Sequence, residues 1–172
     1  CQDCTSGRNF FGQGTNGTRD EDLEPRNIFW IISKRDGSVS KEIKIPFEKK
    51  IFQLVFSSAG IGKVSNMGII SYRDRWILVE PSADTIYSYS TDHKMTPFIV
   101  RTPSVQSMDP EVFLFPGVIT DRYCFMQTVK KEYKETEPRS KLLESELVYD
   151  RQEKKIFEYV VYNDDFTNKR PI

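Results

Sequence analysis

The chain has 172 residues with 25 basic and 25 acidic side chains, so its formal net charge is zero. A general binder of nucleic acid or of anionic membranes needs a basic excess, so the charge balance argues against both classes. No stretch reaches the ~18 consecutive apolar residues that indicate a membrane-spanning helix. Aromatic residues make up 13% of the chain, in alternating runs that are typical of strands.

Residues 1–25 are polar and show little periodicity, so we predict a flexible lead-in before a domain over residues 26–172. Cys1 and Cys4 form a C-x-x-C pair, but a zinc site would need further ligands that this stretch lacks. A cysteine ahead of a polar tether resembles the acylated cysteine of a bacterial lipoprotein. Cys1 is therefore a candidate lipid attachment site; the alternative is that position 1 is only where a fragment begins.

The first strands are predicted as a hairpin over residues 28–46, because Asp36-Gly37 is a strong tight-turn signal between two apolar runs. A further strand, apolar on both faces, is expected over residues 51–56. Residues 66–101 then read as an antiparallel four-stranded meander with short turns, which is the unit of a β-propeller blade. The predicted strands of this meander span residues 67–72, 75–80, 85–90 and 95–101.

The meander recurs further along the chain. Trp76 and Tyr123 each follow an Asp-Arg turn, and the two motifs lie 47 residues apart, a spacing typical of propeller repeats. We therefore expect Trp76 and Tyr123 to occupy equivalent places in adjacent blades, and Cys124 to be a buried free thiol. The alternative is a β-sandwich without repeats. The strands of the last blade are predicted near residues 113–120 and 122–130, with an outer hairpin over 146–160.

The connection between the two predicted blades carries polar residues on the face where propellers usually bind ligands. The candidate ligand-binding residues there are Arg101, Gln106, Asp109 and Glu111. The alternative is that they only cap the ends of strands. His93 is the only histidine, and since no second ligand lies near it in sequence, we expect a solvated turn residue. No metal, cofactor or catalytic residue is predicted.

With the repeats in place, the chain resembles a known family. Residues 76–87 (WILVEPSADTIY) and 95–104 (MTPFIVRTPS) are similar to blades of the six-bladed β-propeller lipoproteins of Bacteroidetes, a family of unknown function. The resemblance covers about residues 28–162 and implies an extracytoplasmic location, in the periplasm or at the outer membrane. Its motifs are structural and bring no catalytic residues. Asp-Thr-Ile at 84–86 is also similar to an O-glycosylation signal of such proteins, so Thr85 is a candidate glycosylation site; the alternative is a turn entering a strand.

The family has six blades, whereas this chain is long enough for about three repeats of ~45 residues. An open half-ring would leave two apolar faces in water, which is rare for a soluble monomer. We therefore expect the remaining blades to come from a longer chain or from a second copy.

Two classes of function remain open. The first is a non-catalytic binding or interaction module at the cell envelope, with a glycan or a protein as ligand. Trp30 or Trp76 would stack on sugars in this class, although core packing is the expected role of both. The second is a carbohydrate hydrolase or lyase with carboxylates at the channel mouth, for which Glu80, Asp109 and Glu111 are the suggestive set.

Overall fold

The computed structural model describes residues 9–13, 29–57, 60–64, 68–134, 141–160, 162–163 and 170–171. Within these ranges every regular element is a strand except one 3-10 helix, η1, at Val105–Ser107. All strand pairs are antiparallel. The prediction of an all-β protein built from antiparallel strands is confirmed for the described part of the chain.

The strands form two four-stranded sheets, one three-stranded sheet and two hairpins. The three-stranded sheet contains β1 (Asn9–Gln13), β2 (Phe29–Ser33) and β3 (Val39–Ile43). The first four-stranded sheet contains β6 (Ile69–Tyr72), β7 (Arg75–Leu78), β8 (Thr85–Ser90) and β9 (Met95–Val100). The second contains β10 (Val112–Ile119), β11 (Tyr123–Lys134), β12 (Lys141–Asp150) and β13 (Lys155–Glu158). The hairpins are β4 (Leu54–Ser57) with β5 (Gly60–Lys63), and β14 (Tyr162–Asn163) with β15 (Arg170–Pro171).

Both predicted meanders are therefore present, in sequential strand order. The four strands expected over residues 66–101 are confirmed, with ends within two residues of the prediction. Strand β1 was not predicted: it lies inside the expected flexible lead-in and pairs with β2. The rest of that lead-in, including Cys1, lies outside the described residues.

The chain divides into two compact units that interleave in sequence. The first comprises Cys1–Phe52 and Ser65–Asp109, and the second comprises Gln53–Val64 and Pro110–Ile172. The hairpin β4–β5 thus belongs with the second four-stranded sheet, although the first four-stranded sheet follows it in sequence. The expected single strand over residues 51–56 is half of this hairpin.

Two sheets of the first unit pack face to face. Strands alternate their side chains between two faces, so Phe29 and Ile31 of β2 lie on one side, as do Trp76 and Leu78 of β7. These residues join one buried cluster together with Ile43, Ile45, Ala83 and Tyr89. The cluster is the core of the first unit, and it holds the three-stranded sheet against β6–β9.

In the second unit, the hairpin β4–β5 is fitted closely to the long strand β11. A Cβ atom added at Gly62 would collide with the hydroxyl of Tyr133, so glycine leaves room for this ring. Cys124 on β11 is a buried free thiol, as predicted, and burial raises the pKa of the Cys124 thiol above its ordinary value.

The two Asp-Arg-aromatic motifs do not align in the structure. Asp74 is the second residue of the turn at 73–74, whereas Asp121 is the first residue of the turn at 121–122. A one-residue shift moves every side chain to the opposite face of a sheet. Trp76 therefore matches Cys124 and not Tyr123: Trp76 lies opposite Tyr89, and Cys124 lies opposite Tyr149. The prediction that Trp76 and Tyr123 are equivalent is wrong.

Candidate ligand-binding surface

The loops of the first unit enclose a buried carboxylate. Glu80 follows β7, and its side chain is 1% exposed. Its Oε1 accepts hydrogen bonds from Lys50 Nζ at 2.7 Å and from the Ser82 amide at 3.0 Å. Ser82 Oγ in turn accepts the amide hydrogen of Ile51 at 3.0 Å. Because a buried charge needs a partner, this network fixes the loop after β3 to the loop after β7.

Of the predicted ligand residues, Gln106 extends the same network and Arg101 bonds to the neighbouring residue Asp84. Gln106 Nε2 donates to the backbone carbonyls of Lys49 at 2.7 Å and Ser82 at 3.1 Å. The Arg101 amide donates to the carbonyl of Asp84 at 3.0 Å. Burial lowers the pKa of the Arg101 guanidinium, and the nearby Asp84 carboxylate partly offsets this effect. The Gln106 amide is thus engaged in joining three loops.

The other two predicted ligand residues are not part of this network. Asp109 is exposed and is the last residue of the first unit. Glu111 lies in the second unit, where its Oε1 is 3.4 Å from Lys131 Nζ. The three carboxylates suggested for an enzyme therefore have different surroundings. Glu80 is buried and paired with Lys50, Asp109 is exposed, and Glu111 is paired with Lys131 in the second unit.

The remaining candidates occupy the first four-stranded sheet. Thr85 is the first residue of β8, partly exposed and opposite Val100 of β9, and its glycosylation stays a prediction. His93 is exposed in the turn after β8 with φ of 64°, and its Nδ1 lies 3.1 Å from the hydroxyl of Tyr89. In the described part of the chain, no group of three or more His, Cys, Asp or Glu side chains is placed to hold a metal ion.

The second unit carries a surface that we call the aromatic face, made by Tyr123, Phe125, Phe157 and Tyr159. Phe125 of β11 and Phe157 of β13 both pair with Val148 of β12, so their side chains lie on the same side of the sheet. Side chains two positions apart in a strand share a side, so Tyr123 and Tyr159 lie on that side as well. The Phe125 and Tyr159 rings meet edge to face with centroids 5.5 Å apart, and those of Tyr123 and Phe125 are 6.2 Å apart. Phe157 is 43% exposed, and the other three rings are partly exposed.

Two carboxylates and an amide lie on the same side of the sheet, beside these rings. Gln127 Nε2 donates to Glu146 Oε1 at 2.9 Å and to Glu144 Oε2 at 3.3 Å. The hydroxyl of Tyr159 donates to Glu146 Oε2 at 3.3 Å. Burial, and then the adjacent Glu146 carboxylate, raise the pKa of Tyr159 above its ordinary value, so the phenol keeps its proton and remains a donor. Both oxygens of Glu146 are thereby held in place.

An ion pair stabilises the turn that ends this sheet. Both Nε and a terminal nitrogen of Arg122 donate to Asp150 Oδ2, at 2.9 and 2.7 Å. Asp150 Oδ1 accepts the backbone amides of Gln152 at 2.8 Å and Glu153 at 3.2 Å. The Arg122 guanidinium also lies over the Tyr123 ring, 4.9 Å from its centroid. These bonds hold β11, β12 and the turn into β13 together at one end of the aromatic face.

The arrangement suits recognition of a polar ligand with flat apolar faces. A carboxylate oxygen accepts more than one hydrogen bond, so Glu144 and Glu146 keep acceptor capacity beyond Gln127 and Tyr159. Aromatic rings supply apolar area at little cost in conformational entropy. Sequence reasoning missed this surface because Glu144 fell between the strand predicted over residues 122–130 and the outer hairpin predicted over 146–160. The signal was present in the alternation of Tyr123 with Phe125 and of Phe157 with Tyr159.

Comparison of the chain with protein-family models, with curated proteins and with solved structures gave no match. The described residues include no helix with the length and hydrophobicity that a membrane crossing requires.

Proposed function

We propose that the protein is a non-catalytic binding module of the cell envelope, and that its ligand is a glycan bound on the aromatic face. The observation that carries this proposal is the combination of partly exposed rings with a fixed polar group. Phe157 is 43% exposed, and Gln127 holds Glu144 and Glu146 beside the rings.

Sugars present both kinds of surface that this site complements. Their C–H faces pack on aromatic rings, and their hydroxyl groups donate hydrogen bonds to carboxylate oxygens, which are strong acceptors because they are charged. Glu144 and Glu146 lie close together, so a second anion would be repelled. The preferred ligands are therefore neutral glycans or glycans with amino sugars, and not polyuronates.

The proposal includes an architecture and a location. We infer that the two four-stranded meanders are blades of a six-bladed propeller, with the remaining blades supplied by a longer chain or by a second copy. Because blades radiate from a central axis and diverge outward, a neighbouring blade would leave the part of the aromatic face at the outermost strand, with Phe157 and Tyr159, open at the rim. The recurrence of sequential four-stranded sheets supports this arrangement, as does the resemblance to Bacteroidetes lipoproteins. That resemblance also supports an extracytoplasmic location, lipid attachment at Cys1 and glycosylation at Thr85.

One observation favours a second function, hydrolysis or lysis of a carbohydrate. Glu144 and Glu146 both accept from the same Gln127 nitrogen, so the two carboxylates are near neighbours, and glycosidases use paired carboxylates. In those enzymes, however, the two groups flank the scissile bond. Here both side chains project from one face of one strand, which favours binding.

A glycan array separates these functions. The wild-type chain is expected to retain neutral or amino-sugar glycans, and Phe157→Ala and Glu146→Gln are each expected to weaken binding by about tenfold, the loss of one good contact. Phe52→Ala is the matched control, because Phe52 is 74% exposed and belongs to the first unit. Retention that does not depend on Phe157, or no retention at all, would contradict the proposal. Cleavage of a bound glycan that Glu146→Gln abolishes would establish the enzyme instead.

A further inference from the structure

The last strands of the two four-stranded sheets, β9 and β13, differ in how well their edges are protected against pairing with another chain. Strand β9 carries Pro97 at its centre and a register shift opposite Ile86 and Tyr87, and both devices discourage pairing with another chain. Strand β13 has neither device: it contains no proline, and its register with β12 is continuous. The edge of β13 is also accessible: Ile156 is 61% exposed and lies with Phe157 between the charged residues Lys155 and Glu158.

The hydrogen bonds of β13 show which backbone groups face outward. The Tyr159 amide donates to the carbonyl of Glu146 in β12 at 3.0 Å. Successive residues of a strand alternate in direction, so Phe157 also bonds toward β12. The amide and carbonyl groups of Ile156 and Glu158 therefore point away from the sheet, in the plane where a further strand would pair.

We propose that β13 pairs with β13 of a second copy of this chain, antiparallel and centred on Ile156, so that two sheets continue as one. This interface uses the backbone edge of β13, whereas the aromatic face uses the ring of Phe157 on the same strand, and the proposal does not depend on the function proposed above. Addition of a strand to an open edge supplies backbone hydrogen bonds, and two-fold pairing of identical edges gives a closed dimer.

The charges along β13 select the register. A two-fold axis perpendicular to the sheet keeps each side chain on its own face, so the pairing must be centred on a residue. Centring on Lys155 or on Glu158 would set like charges opposite each other, which is destabilising. Centring on Phe157 pairs Glu158 with Ile156 and sets no opposite charges against each other. Centring on Ile156 brings Glu158 of each copy beside Lys154 of the other, the turn residue that directly precedes β13, which gives two pairs of opposite charge.

Sedimentation equilibrium over a series of protein concentrations tests the proposal on the full chain. The wild type is expected to show a reversible equilibrium between a 20.1 kDa monomer and a dimer. Ile156→Pro removes only an outward amide, so it should raise the dimer Kd about tenfold or more while the sheet stays intact. Glu158→Lys should weaken the dimer similarly, because it sets Lys opposite Lys154.

Two further variants control for loss of fold and for net charge. The double variant Lys154→Glu, Glu158→Lys restores opposite charges and should return the Kd to within about threefold of the wild type. Glu48→Lys makes the same charge change at an exposed residue of the first unit and should leave the Kd unchanged. A strictly monomeric wild type, a dimer indifferent to Ile156→Pro and Glu158→Lys, or a double variant without recovery would each overturn the proposal. A dimer in which two copies pack through their sheet faces would also show a Kd that Ile156→Pro leaves unchanged.

Discussion

Replacing Trp76 with alanine should destabilise the first unit by about 3–5 kcal/mol. Trp76 is 7% exposed and lies in the cluster with Phe29, Leu78 and Tyr89. A buried aromatic side chain removes roughly 150–250 Å² from water, and at about 25 cal/mol per Å² this amounts to about 4–6 kcal/mol as an upper bound. The alanine methyl group and partial collapse of the cavity recover some of that free energy.

Urea unfolding followed by far-UV circular dichroism measures this loss. Trp30→Ala is the matched control, because Trp30 is only partly buried and alternates with Phe29 and Ile31, so it points away from the cluster. We expect Trp30→Ala to cost less than half as much as Trp76→Ala. A cost below about 1 kcal/mol for Trp76→Ala would show that this ring is not part of the core, and the packing of the two sheets would have to be revised.

Two further predictions concern the second unit. Gly62→Ala should lower the free energy of unfolding by about 1–3 kcal/mol through overpacking against Tyr133, and Tyr133→Phe should relieve part of this loss. Gly117→Ala is the control and should be nearly neutral, because the nearest neighbour of its added Cβ would lie 3.7 Å away. Equal shifts in Tm for the two glycine variants would contradict this. The hydrogen bonds from Arg122, and then those from the turn amides, lower the pKa of Asp150 below its ordinary value. The contribution of Asp150 to stability is therefore complete above the unfolded pKa of about 3.9, and it is lost as the pH falls through the folded pKa. Asp150→Asn should therefore lower the Tm at neutral pH, and the difference from the wild type should shrink toward about pH 2; a difference that stays constant over this range would refute the role of the ion pair.

The amino-acid sequence by itself determined the strands and most of their turns. Alternation of apolar and polar residues and tight-turn residues such as Asp36-Gly37 act over a few neighbouring positions. For that reason the meander over residues 66–101 was predicted nearly to its ends. The buried thiol of Cys124 was predictable on the same basis, since it sits inside an apolar run of a strand.

Part of the candidate site was visible in the sequence and part was not. The side chains of Arg101 and Gln106 were noticed as polar residues in a connection, but sequence could not show that the Gln106 amide would bond to Lys49, which is 57 positions away. The polar centre of the aromatic face depends on the pairing of Gln127 with Glu146. That pairing is set by the register of two strands across a long hairpin, and register is not local information.

Tertiary structure alone decided how the strands are combined. The hairpin β4–β5 belongs to the second unit, where Gly62 lies against the ring of Tyr133, a residue far along the chain. The two Asp-Arg-aromatic motifs look equivalent in sequence, yet a turn shifted by one residue puts Trp76 in register with Cys124 instead of Tyr123. Side chains alternate along a strand with a period of two residues, so a shift of one position is enough to exchange the buried face for the opposite one.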